Sequence, residues 1–346
     1  MTLSARFYLL CSGLVAGLVI AVVWLYTSLM PMWFLESGYP IWVAKQDILR
    51  TCAFGSVLVM GDSRPEAAII PSRLPLSAAN ISSGAASPIE NYFFARQALK
   101  CPTPPRYVVY SHSILSFDTT TEFLWTNATR YGFITFRDLR DIAGVADDLH
   151  DDSLSATNTH DGLSGILRDA VYSSGFPSIF VASLIRAHVF GRYATNMVFL
   201  DHTLATRGAV AYPDQPGRTA AGVDAGVKTF APLPIQTYYF DKTLALFAAA
   251  GVKVLYVATP FSQTTMKAMA PAPISDFAYF LVQHTERFSN VVVNSPIVTV
   301  WPDDLFADGS HLDERGAILF SDRLASCLSQ WQASPDHPVP CDFTWK

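Results

Sequence analysis

The chain has 346 residues, of which 50% are hydrophobic and 15% charged, and its formal net charge is −5. That balance excludes a largely disordered chain, which combines low hydrophobicity with high charge, and it removes the basic field on which nucleic-acid binding depends. The 19 glycines and 22 prolines form no repeat, which excludes collagen-like and low-complexity architecture, and the length suits one large domain or two modest ones.

The first feature in chain order is residues 7–30, FYLLCSGLVAGLVIAVVWLYTSLM, which contain no charged side chain. About 20 apolar residues at 1.5 Å per residue cross a hydrocarbon core. Trp24, Tyr26, Trp33 and Trp42 follow on its C-terminal side, where amphipathic rings favour a membrane interface. Arg6 lies on the short N-terminal side and Glu36 is the first charge on the other, so the positive-inside rule puts residues 1–6 in the cytoplasm and everything after Met30 outside. A cleaved signal peptide has a hydrophobic region of only about 7–15 residues and a small-x-small cleavage site. Tyr26 to Met30 offers no such site. The expectation is an uncleaved single-pass anchor over residues 1–30, a linker over 31–50 and an outer domain over 51–346, with the lipid bilayer as a partner. Phe176–Ile185 is too short for a second span and ends in Arg186 and His188.

Cys11 falls in the anchor, and Cys52, Cys101, Cys327 and Cys341 lie beyond it. Four cysteines allow three pairings. Cys52 and Cys101 each precede a predicted strand, and parallel neighbouring strands bring both to one edge of a sheet. Cys327 and Cys341 then close the tail onto the last helix. Such disulfides need an oxidising compartment. Four buried free thiols are the alternative.

From residue 52 onward, short apolar runs alternate with helical patterns. Ser56–Met60, Leu76–Ile81, Arg106–Ser111, Val252–Thr259 and Asn290–Asn294 read as strands. Pro88–Leu99, Pro234–Ala250, Ile274–Phe288 and Arg315–Trp331 read as helices, with Pro at two starts and Gly251 closing one. Strand–helix alternation implies an α/β fold with a mostly parallel sheet. Residues 115–233 break the rhythm. They hold helical stretches (Phe136–Leu149, Leu163–Tyr172, Pro177–Phe190) and a Gly/Pro/Thr-rich piece, Gly208–Gly226, and read as an insertion or cap over the sheet's C-terminal edge. Ala333–Lys346 reads as an irregular tail.

Two segments carry chemistry. Gly61-Asp62-Ser63 follows the first strand, and Asp308-Gly309-Ser310-His311 precedes the last helix. In an open parallel sheet, sites gather beyond the carboxyl ends of the strands. A serine hydroxyl needs a base to become a nucleophile, a histidine near neutral pH can be that base, and an aspartate fixes its tautomer. Asp308, His311 and Ser63 therefore form the candidate catalytic set. A backbone N–H at Ser63 is a candidate oxyanion donor. The pattern also fits a plain helix cap, with Ser310 or Asp313 capping and Glu314 in the first turn.

These blocks resemble the SGNH/GDSL hydrolase superfamily. Gly61, Asp62 and Ser63 match its first block, and Asp308 with His311 matches its D-x-x-H block. Asn80-Ile81-Ser82-Ser83-Gly84 resembles the second block and implies that Gly84 donates a second N–H to the oxyanion. The third block's G-x-N-D has no counterpart, because the strand ends Tyr110-Ser111-His112-Ser113, so Ser111, His112 and Ser113 are the candidates for a third donor. The resemblance covers roughly 52–113 and 234–331 and implies a three-layer, flavodoxin-like parallel sheet. With an anchor and an outward domain, the chain resembles the membrane-anchored SGNH-like proteins that work beside membrane-bound O-acyltransferases on alginate, cellulose-like polysaccharides or teichoic acids. That resemblance implies an inner-membrane protein with a periplasmic domain. Its substrate would be the O-acyl groups of an exported cell-envelope polysaccharide, and its partner a polysaccharide synthase or secretion complex. The alternative is a non-catalytic assembly or glycan-binding subunit.

Other candidates weigh less. Arg64 can bind an anionic substrate or pair with Glu66. Asp303 and Asp304 compete with Asp308 as orienter. The acidic cluster Asp147 to Asp152, His160-Asp161 and Asp201-His202 read as solvated surface rather than metal ligands. Tyr92, Phe93, Phe94, Phe117, Phe123 and Trp125 read as core more than as a sugar platform. No P-loop, G-x-G-x-x-G, H-E-x-x-H, C-x-x-C or G-x-S-x-G is present, so no cofactor is expected.

Overall fold

A sheet covered on both faces needs apolar side chains on both, and five short runs of that kind pair in parallel here. They are β1 (Val57–Gly61), β2 (Ala78–Asn80), β3 (Tyr107–Ser111), β4 (Lys253–Tyr256) and β6 (Val291–Val293), in the spatial order β2-β1-β3-β4-β6. The fold is α/β. The structure is a computed structural model, and it describes residues 3–119, 124–154, 191–214, 220–334 and 340–345. A second, two-stranded parallel pair joins β5 (Phe261–Ser262), which runs straight into α10 (Gln263–Ala268), to β7 (Val300–Trp301).

Period-2 alternation sorts the strand side chains into two cores. Leu58, Met60, Val108, Tyr110, Val254 and Tyr256 face one side. They pack under α3 (Gly38–Arg50), α5 (Pro88–Ala98), α9 (Pro234–Ala249) and α11 (Pro271–Thr285). Val57, Val59, Tyr107, Val109 and Leu255 face the other side, under α4 (Ser63–Ala68) and α12 (Glu314–Ala333). Helix α5 starts on a capping box, with Ser87 as cap, Pro88 in the first turn and Glu90 reaching back.

At the N-terminus, α1 (Leu3–Leu29) contains one stretch, Ala5–Thr27, long and apolar enough to cross a membrane. Residues 31–50, expected as a linker, instead form α2 (Pro31–Phe34) and α3. Helix α3 carries an apolar stripe: Trp42, Ile48 and Leu49 are buried. Trp42, expected at a membrane interface, is 4% exposed and sits edge-on to Phe94 and Phe133, because its helix turns that face to the core. Trp33 stacks on Tyr193 of α8 (Gly191–Ala205), and Asn196 of that helix donates to the carbonyls of Met32 and Leu35 at 2.9 Å each.

The expected insertion contributes α6 (Leu115–Asp118), α7 (Phe136–Leu149) and α8. Helix α7 matches its predicted bounds and buries Leu139, Ile142 and Ala143. The predicted helices Leu163–Tyr172 and Pro177–Phe190 lie outside the described residues, as do Phe123, His160, Asp161, Arg186 and His188. After α8 the chain runs beside the edge strand β2. Arg207 Nε donates to the Ala78 carbonyl, and the Asn80 N–H donates to the Arg207 carbonyl at 2.9 Å. The sheet edge is thereby covered.

Cys52 is bonded to Cys101 and Cys327 to Cys341, with Cα separations of 5.8 and 5.6 Å. This is the pairing favoured by strand order. The second bond holds the tail, where the Phe343 carbonyl accepts from Trp301 Nε1 at 2.7 Å and Phe343 stacks on Phe320. Two disulfides fit an oxidising compartment.

Candidate active site

The strand order reverses between β1 and β3, and the crevice beyond their carboxyl ends is where ligands bind in such sheets. Ser63 sits there, as the first residue of α4. Gly61 makes the turn possible. Its φ is 148°, and a Cβ would collide with the Ser111 carbonyl on the neighbouring strand. Asp62 caps α4, accepting from the Arg64 N–H at 3.0 Å. Its other oxygen accepts from the Ser113 N–H at 2.7 Å and the Ser116 hydroxyl at 2.6 Å. The turn before Ser63 is thus tied to the loop after β3.

His311 arrives from the other end of the chain. Its Nε2 lies 2.8 Å from Ser63 Oγ, and its Nδ1 lies 2.8 and 3.0 Å from the two oxygens of Asp308. Asp308 also accepts from the N–H groups of Ser310 and His311, at 2.7 and 2.8 Å. Burial opposes ionisation of Asp308, but the His311 hydrogen bond and charge and these two N–H groups overcome it and hold its pKa at about 2. The same segment also works as a cap: Asp313 accepts from the Gly316 N–H at 2.8 Å at the start of α12. The competing orienters are occupied elsewhere. Asp303 accepts from the Thr264 N–H and hydroxyl, and Asp304 faces Arg315.

The other expected donors divide. Gly84 lies in the loop after β2, where a Cβ would stand 3.6 Å from Glu66 Oε2. That loop is tied to β1 by the Ser83 N–H on the Gly61 carbonyl at 3.1 Å. Asn80 ties it to α4, donating to the Pro65 and Ile69 carbonyls at 2.8 and 2.9 Å. Ser113 is engaged with Asp62 and Ser116. His112 continues the face of Tyr110, so its ring enters the core between Tyr110 and Phe117, away from the serine. Ser111 is wholly buried, its carbonyl packed on Gly61.

Arg64 does not pair with Glu66, nor does it stand free for a substrate. Its guanidinium forms a buried ion pair with Asp224 of the insertion and lies 5.0 Å over the Phe261 ring. The reason is that Glu66 is taken by Lys45 of α3, which also donates to the Ser82 carbonyl. Residues 31–50 were expected as a linker, so nothing in the sequence pointed to this pair. The other Glu66 oxygen accepts from the Tyr212 hydroxyl at 2.9 Å. The Tyr212 ring stacks on the His311 imidazole, centroids 4.4 Å apart and planes 15° off parallel. Nothing in the sequence pattern marks Tyr212 or Asp224.

The insertion also meets the histidine loop directly. Gly222 and Gly309 pack backbone to backbone with no room for a side chain at either, and the Thr265 hydroxyl bridges the Gly222 N–H and the Gly309 carbonyl at 2.8 and 2.7 Å. A cavity of about 310 Å³ is lined by Tyr212, Ala67, Ile70, Val210, Leu312 and Ala317, so one residue, Tyr212, both lines this cavity and stacks on His311. Among the described residues no cluster of three or more His, Cys, Asp or Glu is placed to hold a metal ion. The aromatics expected to be core are core: Phe93, Phe94, Phe117 and Trp125 are buried, and Tyr92 packs against them. In comparisons with known proteins, the chain matches no protein-family model and no curated protein.

Proposed function

We propose that the protein is a membrane-anchored, extracytoplasmic serine acyltransferase or esterase of SGNH type, acting on O-acyl groups of an exported polysaccharide. The observation that carries the reading is the continuous chain Ser63–His311–Asp308, each link at 2.8 Å, at the switch point of a parallel sheet. In the proposed reaction His311 Nε2 takes the Ser63 proton as Oγ attacks the acyl carbon. The N–H groups of Ser63 and Gly84 bind the oxyanion. Collapse breaks the ester bond, and the leaving alcohol takes the proton from His311. A sugar hydroxyl or water then gives its proton to Nε2, attacks the acyl-serine and releases Ser63. Asp308 stays ionised throughout. The polysaccharide acceptor and the secretion-complex partner rest on the sequence resemblance, and the apolar helix α1 and the disulfides support a site outside the cytoplasm.

The test is intact mass of the full-length protein in detergent micelles after incubation with p-nitrophenyl acetate. An acetyl adduct on the wild type and none on Ser63→Ala is the expected result. Faster loss of the adduct with added oligosaccharide assigns the transferase, and loss at an unchanged rate assigns the esterase. No adduct and no turnover overturns the enzyme reading and leaves a glycan-binding or assembly subunit.

A further inference from the structure

Two in-plane hydrogen bonds do not fix an imidazole. Asp308 holds the Nδ1 end of His311 and Ser63 meets the Nε2 end. The ring remains free to tilt about the line joining its two nitrogens, and a contact on its face is what stops that motion. Tyr212 supplies one, at a separation and angle suited to ring stacking.

Tyr212 is itself held. Burial, then the negative charge of Glu66, push its pKa up, so it stays a phenol and donates to the Glu66 carboxylate. Glu66 is 3% exposed and Lys45 1% exposed, and the pair joins α4 to α3. The backbone leading to Tyr212 is fixed too. Gly208, at φ 95°, rests against the Asn80 carbonyl where no side chain fits, and the Val210 N–H points to the Glu66 carbonyl at 3.4 Å.

From this geometry we infer that Tyr212 is a positioning residue for His311, fixed through Glu66 and Lys45, and that it matters most after Ser63 has been acylated. The inference rests on the acyl-enzyme reading above. In the resting site His311 has two in-plane partners. In the acyl-enzyme Ser63 Oγ is an ester oxygen without a proton, so the Nε2 partner is lost. Asp308 and the Tyr212 face are then what aim Nε2 at the incoming hydroxyl. In that step the acceptor O–H proton moves to Nε2, the acceptor oxygen bonds to the acyl carbon, the Ser63 Oγ–carbon bond breaks, and Oγ takes the proton back. The groups around His311 are Asp308 on its own loop, Ser63 and the Asp224-paired Arg64 on α4, and Tyr212 backed by Glu66.

The experiment follows p-nitrophenyl acetate with the full-length protein in detergent micelles by stopped flow. The burst reports acylation and the steady state reports deacylation. Tyr212→Leu is expected to slow deacylation about tenfold to a hundredfold, as small misplacements of a base do, and to leave the burst nearly unchanged. Tyr212→Phe, which keeps the ring but loses the hydrogen bond to Glu66, is expected to recover part of the rate, and full recovery overturns the fixing through Glu66 and Lys45. Tyr212→Met is the second ring-less variant should Tyr212→Leu not fold. Equal slowing of both phases, no slowing, or a Phe variant as impaired as the Leu variant overturns the inference. Ring stacking is read independently by NMR of 13C-labelled histidine. An upfield ring-current shift at His311 should be present in wild type and Tyr212→Phe and lost in Tyr212→Leu. A wild type that shows that shift but neither turnover nor an acetyl adduct overturns the acyl-enzyme reading while the positioning contact stands. A burst without the shift overturns the positioning.

Discussion

His112 is a histidine placed where a phenylalanine would pack. It is 2% exposed, its ring lies edge-on to Tyr110 and Phe117, and neither ring nitrogen has a hydrogen-bond partner. Burial pulls its pKa down to about 4, against the opposing charge of Asp62. The unfolded chain therefore binds a proton that the folded chain refuses between about pH 6.5 and 4. The stability contribution is complete above 6.5 and is lost as the pH falls to 4, by roughly 3 kcal/mol in all. Thermal melts of the full-length protein across that range should show a steeper fall for wild type than for His112→Phe, and parallel curves would refute the assignment. At this scale the sequence was readable where function is local. Asp308 and His311 stand three residues apart in one loop, and Ser63 opens the helix just after the first strand. Tyr212 and Asp224 were silent, because their meaning comes only from what lies across the crevice.

The strands were legible because a sheet buried on both faces must be written in unbroken apolar runs, such as the VLVMG of β1. Helix α3 was less so. Its apolar stripe is interrupted by Lys45, Gln46 and Asp47, which reads as a polar connection until Lys45 is seen to meet Glu66 inside the protein. The tail was read as irregular, and it is, yet Phe343 is fully buried. What holds it is the Cys327–Cys341 bond, 14 residues apart in sequence. Cross-linking a loop of that length restricts the unfolded chain by about 3 kcal/mol. Replacing both cysteines with serine should lower the unfolding free energy by about 2–3 kcal/mol, measured by urea titration of the full-length protein. An unchanged midpoint would show that Phe343 packs without the bond.

Across the whole molecule, strand order makes a site from residues almost 250 positions apart. Ser63 and His311 are separated by 248 residues and meet at 2.8 Å. The proposed orientation has its own test. A C-terminal alkaline phosphatase fusion, active only outside the cytoplasm, should be active with the native N-terminus and silent when residues 1–30 are deleted. Silence of the native fusion would reverse the topology, and activity of the deleted form would show that residues 1–30 do not direct export. The way the apolar helix joins the rest has a mechanical consequence. Helix α1 is followed within two residues by α2, and α2 and α3 are clasped by Asn196, Tyr193 and the core around Trp42. There is no slack. A head on a long flexible tether sweeps a hemisphere, whereas one held this close to its stem would, if α1 spans a bilayer as proposed, carry the Ser63 crevice at a nearly fixed height above the membrane surface.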